Sequence, residues 1–221
     1  MEQGQILPAG RPAGPTLTRG FVEQRFARHA AGRRGSSGVE IGLRGDHSLN
    51  PGMAPPDRRL TPAAVLVPLV LRDGGVSVLL TQRTAHLSDH AGQIAFPGGR
   101  IEPEDPDPVY AALREAHEEV GLPPAHVEVV GRLDTYVTGT GFEITPVVGF
   151  VPAPYPMAID PFEVADAFEV PLSFIVDANN HRKEQRERNG VMRTFFVLPY
   201  EQRYIWGATA GMLVNLAEVL S

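Results

Sequence analysis

The stretch Phe96–Leu122, FPGGRIEPEDPDPVYAALREAHEEVGL, sets a glycine turn and an acidic loop ahead of a helix that carries Glu115, Glu118 and Glu119. From Arg100 to Leu122 there are seven acids (Glu102, Glu104, Asp105, Asp107, Glu115, Glu118, Glu119) and two arginines, minus five against minus six for the whole 221-residue chain. Nearly all the net charge lies here. Asp107 caps the helix, Pro108 takes its first position and Gly121 ends it, with Pro123 and Pro124 blocking continuation.

At about 100 degrees per residue, Val109, Ala112, Leu113, Ala116 and Val120 form an apolar stripe that should face the core. Glu115, Glu118 and Glu119 form a second stripe. Their β-carbons lie about 5–6 Å apart, where like charges destabilise a helix by a few tenths of a kcal/mol per pair. A solvated acidic face is one reading, since glutamate is a good helix former. The neighbours point to another. Gly98-Gly99 lets backbone approach a ligand, the acidic loop follows, and Arg114 is placed to orient a carboxylate. Together these residues read as a site for Mg²⁺ or Mn²⁺, hard cations that take oxygen ligands and keep positions open for water and a phosphate.

Upstream, Ala63–Arg72 is a β-rich apolar run, Asp73-Gly74-Gly75 a turn and Val76–Arg83 a second strand, which predicts a hairpin. Ile94–Phe96 predicts a short strand. Downstream, Val127–Leu133, Phe142–Val151 and Thr194–Leu198 predict strands, and Trp206–Leu220 a closing helix. This order fits an α/β (α+β) sandwich better than alternating βαβ units. The chain divides into a disordered tail rich in Gly and Pro (Met1–Thr18), an N-terminal helix and arm (19–61) and a compact domain (62–221).

With 43% hydrophobic residues the chain can bury one good-sized core. A net charge of minus six, without a broad basic field, argues against a nucleic-acid backbone as partner. There is no cysteine, so a metal must sit on oxygen or imidazole; this is also compatible with a reducing, cytoplasmic location. The longest apolar run, Ala63–Leu71, is broken by Pro68 and falls short of the roughly 20 residues that span a bilayer. No membrane partner is expected, and the first residues lack a secretory signal. Phe21–Arg34 is arginine-rich and could serve as a transit peptide, but Glu2 and Glu23 count against that, and a surface helix is the reading preferred.

Gly99, Asp105 and Arg114-Glu115-Ala116-His117-Glu118-Glu119-Val120-Gly121-Leu122 together resemble the Nudix box, the signature of hydrolases that split diphosphates linked to another group. Asp105 stands where glutamate is commoner, and the stretch before Arg114 is one residue longer than the standard spacing. The segments Leu79–Thr84 (LLTQRT) and Gly92–Gly99 (GQIAFPGG) resemble the coenzyme A diphosphatase branch of that family. So do Asp160–Val164 (DPFEV) and the Trp206–Ala210 (WGATA) helix start. The branch often has an arginine where this chain has Ser88. The resemblance covers about Pro62 to Leu220. It implies a Nudix-type α/β/α sandwich with a mixed sheet, and a small-molecule nucleotide substrate of the coenzyme A class, with a homodimer compatible.

By that resemblance Glu115, Glu118 and Glu119 bind Mg²⁺ or Mn²⁺, Arg114 orients Glu115, and the general base is Glu115 or Glu163. Thr81, Arg83, Gln93, Phe96, Gly98 and Gly99 are the expected substrate contacts. Cleavage of coenzyme A would give 3′-phosphoadenosine 5′-phosphate and a 4′-phosphopantetheine product. ADP-ribose or a reduced dinucleotide is the alternative substrate, and a non-catalytic nucleotide-binding regulator the alternative class. His86, His90 and His117 read as solvated or packing residues. The basic run His181–Arg193 reads as a polar hairpin near Asn189-Gly190 that could also attract a phosphate, and Phe195, Phe196 and Tyr200 read as core aromatics before adenine contacts.

Overall fold

The computed structural model describes residues 17–32, 34–35, 38–39, 42–50, 59–85, 92–188 and 190–221. In chain order these form α1 (Arg19–Gly32), β1 (Arg34–Gly35), β2 (Gly38–Val39), β3 (Leu43–Gly45), β4 (Thr61–Arg72), β5 (Gly75–Arg83), β6 (Ile94–Ala95) and β7 (Gly98–Arg100). There follow α2 (Pro108–Val120), β8 (Glu128–Arg132), β9 (Thr135–Val137), β10 (Phe142–Pro152), β11 (Val164–Pro171), α3 (Leu172–Val176), β12 (Arg182–Arg188), β13 (Val191–Tyr200), β14 (Arg203–Trp206) and α4 (Gly207–Leu220).

The apolar run Thr61–Arg72 is continuous because both of its faces are covered. Side chains alternate along a strand. Ala64, Leu66 and Val70 join Ala112, Ala116 and Val120 of α2 on one side. Val65, Val67 and Leu69 join Val22 and Phe26 of α1, Ile175 of α3 and Leu213 and Leu216 of α4 on the other. The result is an α/β/α sandwich. Its nine-stranded sheet has the path β11-β5-β4-β10-β9-β3, with β6 on β5, β7 on β4 and β8 on β10. The sheet is mixed, since β4 runs parallel to β10 but antiparallel to β5. A separate three-stranded sheet, β12-β13-β14, carries the basic hairpin. That hairpin turns at Gly190, whose φ of 76° suits glycine; Asn189 lies outside the described residues.

The expected hairpin, glutamate helix and closing helix are present within a residue or two of their expected bounds. Strands β1, β2, β3, β7, β9, β11 and β14 were not among the expected ones, and β12 was expected only as an arm of the polar hairpin. Strand β12 reads RKEQRER and β11 reads VADAFEVP, so neither shows an apolar alternation. Both are sheet edges, where one flank needs no apolar cover.

The expected tail ends early, because Leu17 already packs against the core; residues 1–16 lie outside the described residues. The arm is part of the sandwich. Strand β3 pairs with β9, and Asp46 accepts hydrogen bonds from the Tyr136 hydroxyl (2.8 Å) and the Gly139 N–H (2.7 Å). Asn50 pairs with β13 as a strand residue would, donating to the Thr194 carbonyl at 3.0 Å and accepting from its N–H at 2.7 Å. Among the described residues no helix is long and apolar enough to cross a membrane.

Candidate active site

Helix α2 starts where the sequence places it. The Asp107 carboxylate accepts from the N–H groups of Val109 (2.7 Å) and Tyr110 (3.0 Å), satisfying two of the donors that a helix start leaves unpaired. Gly121, at φ 67°, closes the other end in the left-handed conformation. Between these caps, residues three and four apart share a face, which brings Arg114, Glu115, Glu118 and Glu119 together.

Arg114 holds this group in register. It reaches Asp105 through Nε (3.1 Å) and Nη2 (3.0 Å), the Arg100 carbonyl through Nη2 (3.2 Å), and Glu118 (2.9 Å) and Glu115 (3.0 Å) through Nη1. The fork geometry of guanidinium permits this where an ammonium could not. The bonds to Asp105, and the field of Glu115, hold Arg114 firmly protonated. Asp105, unassigned by sequence reasoning, is thus the arginine's clamp. Its position in the acidic loop ahead of Arg114 was the available signal.

Glu119 does not sit on a solvated acidic face, the reading set aside above. It is 4% exposed, packed beneath the helix with its carboxylate accepting from the Gly98 N–H at 3.2 Å and standing 3.4 Å from Arg83 Nη1. Burial pushes its carboxyl up to about 7; the Gly98 N–H and Arg83 pull it down, and Glu115 and Glu163 push it further up. Glu115 is raised too, first by burial, against the pull of Arg114 and with Glu118 and Glu163 adding to the rise. Four carboxylates from two segments therefore act on one another. Among the described residues no three acidic or imidazole groups already converge as a cation cage, because Arg114 and Arg83 stand between them. The donors are all hard oxygens, the chemistry a divalent cation of the Mg²⁺ type takes.

The expected substrate contacts divide. Arg83 lies at the centre, with Nη2 3.9 Å from Glu163 as well as Nη1 at Glu119. The Gln93 carbonyl accepts from the Arg83 N–H at 2.9 Å, which holds the strand end against the glycine turn. Gly98 and Gly99 make room for the protein itself. A β-carbon on Gly98 would stand 2.5 Å from the Ala64 carbonyl oxygen, and one on Gly99 2.5 Å from the Glu115 carboxyl. Thr81 and Phe96 are corrections. Both are buried, the Thr81 hydroxyl donates to the Ala95 carbonyl (3.3 Å) and Phe96 joins the core, so they support the strands and present no surface to a substrate.

His117 is exposed, away from the cluster. His86, Ser88 and His90 lie outside the described residues. Phe195 meets Trp206 edge-on (5.5 Å) and Tyr200 meets Phe174 (4.9 Å), as packing aromatics do, while Phe196 packs on the core.

Residues 60–187 match the family model of the NUDIX domain. The chain belongs to the Nudix family. A relative named Uncharacterized Nudix hydrolase NudL, from Escherichia coli O7:K1 (strain IAI39 / ExPEC), is 43% identical over 155 residues, covering 70% of this chain and 80% of the relative. The protein of the same name from Escherichia coli strain K12 matches to the same extent. Among solved structures, the Nudix hydrolase RenU from M. smegmatis is similar at 28% identity, covering 53% of this chain and 74% of its own, with a TM-score of 0.45. The C. elegans Ap4A hydrolase binary complex is similar at 21% identity, covering 50% and 80%, with a TM-score of 0.44. As a Nudix hydrolase, the protein acts on pyrophosphate bonds of nucleotide substrates, and the family generally uses divalent metal ions such as Mg²⁺ or Mn²⁺.

Proposed function

We propose that this Nudix hydrolase cleaves the diphosphate of coenzyme A or its derivatives, releasing 3′-phosphoadenosine 5′-phosphate and a 4′-phosphopantetheine product. The observation that carries the reading is Arg83, which ties the two segments resembling the coenzyme A branch to the Nudix helix: its N–H meets Gln93 and its guanidinium meets Glu119. A diphosphate placed there would face one arginine able to bind it and a set of carboxylates able to share a cation.

Glu115, Glu118 and Glu119 would hold Mg²⁺ or Mn²⁺, which when bound neutralises charge on the diphosphate and makes a water more acidic. Arg114, backed by Asp105, keeps Glu115 and Glu118 in place. Glu115 or Glu163 accepts the proton of the attacking water as a new P–O bond forms and the bond to the bridging oxygen breaks. Burial raises the basicity of Glu115. Glu163 is the more exposed choice, its side chain 44% accessible and 3.9 Å from Arg83 Nη2.

A second reading, ADP-ribose or a reduced dinucleotide as substrate, is favoured by Ser88 at a position where the branch often has arginine. Product analysis decides between them. The protein is incubated with Mg²⁺ or Mn²⁺ and coenzyme A, acyl derivatives, ADP-ribose, reduced dinucleotides or nucleoside triphosphates, with Glu119→Gln as the inactive control. Preferred release of 3′-phosphoadenosine 5′-phosphate is the expected result. Preferred cleavage of ADP-ribose would remove the substrate assignment, and tight binding without turnover on any diphosphate would remove the enzyme.

A further inference from the structure

Between β10 and β11 the chain runs past the acidic cluster in a loop whose large apolar side chains face outward: Met157 is 50% exposed, Ile159 38% and Phe162 65%. Single exposed apolar residues are ordinary, but three within six residues make a patch. The loop is also held in place. The Ala158 N–H donates to the Val120 carbonyl and the Asp160 N–H to the Glu119 carbonyl, each at 2.9 Å, using the free acceptors at the end of α2. At its far end the Thr84 hydroxyl donates to the Phe162 carbonyl (2.8 Å) and the Thr84 N–H to the Glu163 carbonyl (2.9 Å). Pro154, Pro156 and Pro161 restrict its backbone, and the hydrogen bonds to α2 and Thr84 fix it against the site.

Two relationships give the patch a direction. Phe162 precedes Glu163, the carboxylate beside Arg83, so one end of the patch starts at the site. Met157, at the other end, lines a groove of about 340 Å³ with Leu79, Pro154, Tyr155, Ala167 and Phe168. Arg72 and Glu169 also line it, and they neutralise one another in an ion pair at 2.5 Å. A ligand lying along this path would have a charged diphosphate head at one end and an uncharged, apolar tail at the other.

We infer that the pantetheine arm of the substrate runs past Phe162 and that the Met157 end of the loop, with its groove, receives the aliphatic acyl chain, making the enzyme selective for acyl thioesters over the free thiol. This rests on the coenzyme A reading above. The side chains concerned take no part in the cation or phosphate contacts, so their removal alters chain-length selectivity and leaves the chemistry alone.

The test is kcat/KM for free coenzyme A and its acetyl, hexanoyl and decanoyl thioesters, on the wild type, Met157→Ser and Ile159→Ser, with thermal melting to confirm that these surface variants fold. The wild type should prefer the decanoyl to the acetyl ester by about tenfold or more, a conservative expectation when each buried methylene is worth about fourfold. The variants should lose most of that preference while their rate on free coenzyme A stays within about twofold, since they touch only apolar contacts. Equal kcat/KM for all esters in the wild type, or an unchanged preference in both variants, would overturn the subsite and leave the coenzyme A reading standing. Failure to cleave any coenzyme A compound would overturn both.

Discussion

Arg114 and Asp105 meet side by side, Nε on Oδ1 at 3.1 Å and Nη2 on Oδ2 at 3.0 Å. This pair aims Nη1 of the same guanidinium at Glu115 and Glu118. The Arg114 hydrogen bonds hold the Asp105 carboxyl below its ordinary value, against the effect of burial and with help from the Glu102 N–H. A depressed carboxyl stabilises the fold above its unfolded value, about 3.9, and that contribution is lost as pH falls through the folded value. Asp105→Asn should therefore be less stable than the wild type by about 1–2 kcal/mol at pH 7. The gap should close below about pH 4. Urea unfolding at both pH values checks this; a gap independent of pH would mean that the charge of Asp105 is not what holds Arg114.

Gly99 touches the reacting group through the space it leaves empty. A β-carbon there would lie 2.5 Å from the Glu115 carboxyl, although alanine suits the backbone at this position. Gly99→Ala should push Glu115 aside and lower kcat/KM by about tenfold to a hundredfold, the scale of a displacement near 1 Å. Its melting temperature should fall by only a few degrees, as a loss of about 1 kcal/mol would produce. Steady-state kinetics beside a melting curve separates the two effects, and full activity would show that Glu115 has room to spare.

Arg83 neutralises two carboxylates at once, Glu119 at 3.4 Å and Glu163 at 3.9 Å. In the absence of substrate it competes with any cation for them. Arg83→Gln should bind Mn²⁺ more tightly, by about threefold to tenfold, because a resident positive charge is gone. The same variant should show a KM for coenzyme A raised by about tenfold through the loss of a phosphate contact. Electron paramagnetic resonance of free Mn²⁺ measures the first quantity. Weaker Mn²⁺ binding would assign Arg83 to holding the acids in place.

Asn50 links the arm to a strand 144 residues away. Asn50→Ala leaves the Thr194 N–H and carbonyl without these partners and should lower stability by about 1–3 kcal/mol. Turnover should be unchanged, since the contact lies outside the carboxylate cluster. Denaturant unfolding with a parallel assay checks both halves, and an unaffected midpoint would make the arm an appendage.

How far the fold could be read depended on whether its cause was local. The Asp73-Gly74-Gly75 turn, the Asp107 cap and the Gly121 stop all act within a few residues, and each is found where expected. The edge strand β11 escaped notice, and β12 showed only as part of a polar hairpin, because pairing with a neighbour defines them while their own residues carry no apolar alternation.

The same division runs through the site. The order of residues alone placed Arg114, Glu115, Glu118 and Glu119 on one side of a helix, because 3.6 residues per turn does so in any protein. Which of them would be buried was decided by packing. Glu119 accepts from the Gly98 N–H 21 residues upstream and faces Arg83 36 residues upstream, and loss of solvent moves its carboxyl to about 7. Spacing sets angles around a helix axis. Burial and charge pairing depend on distances between segments, and those exist only once β4, β5 and β7 have been laid against α2.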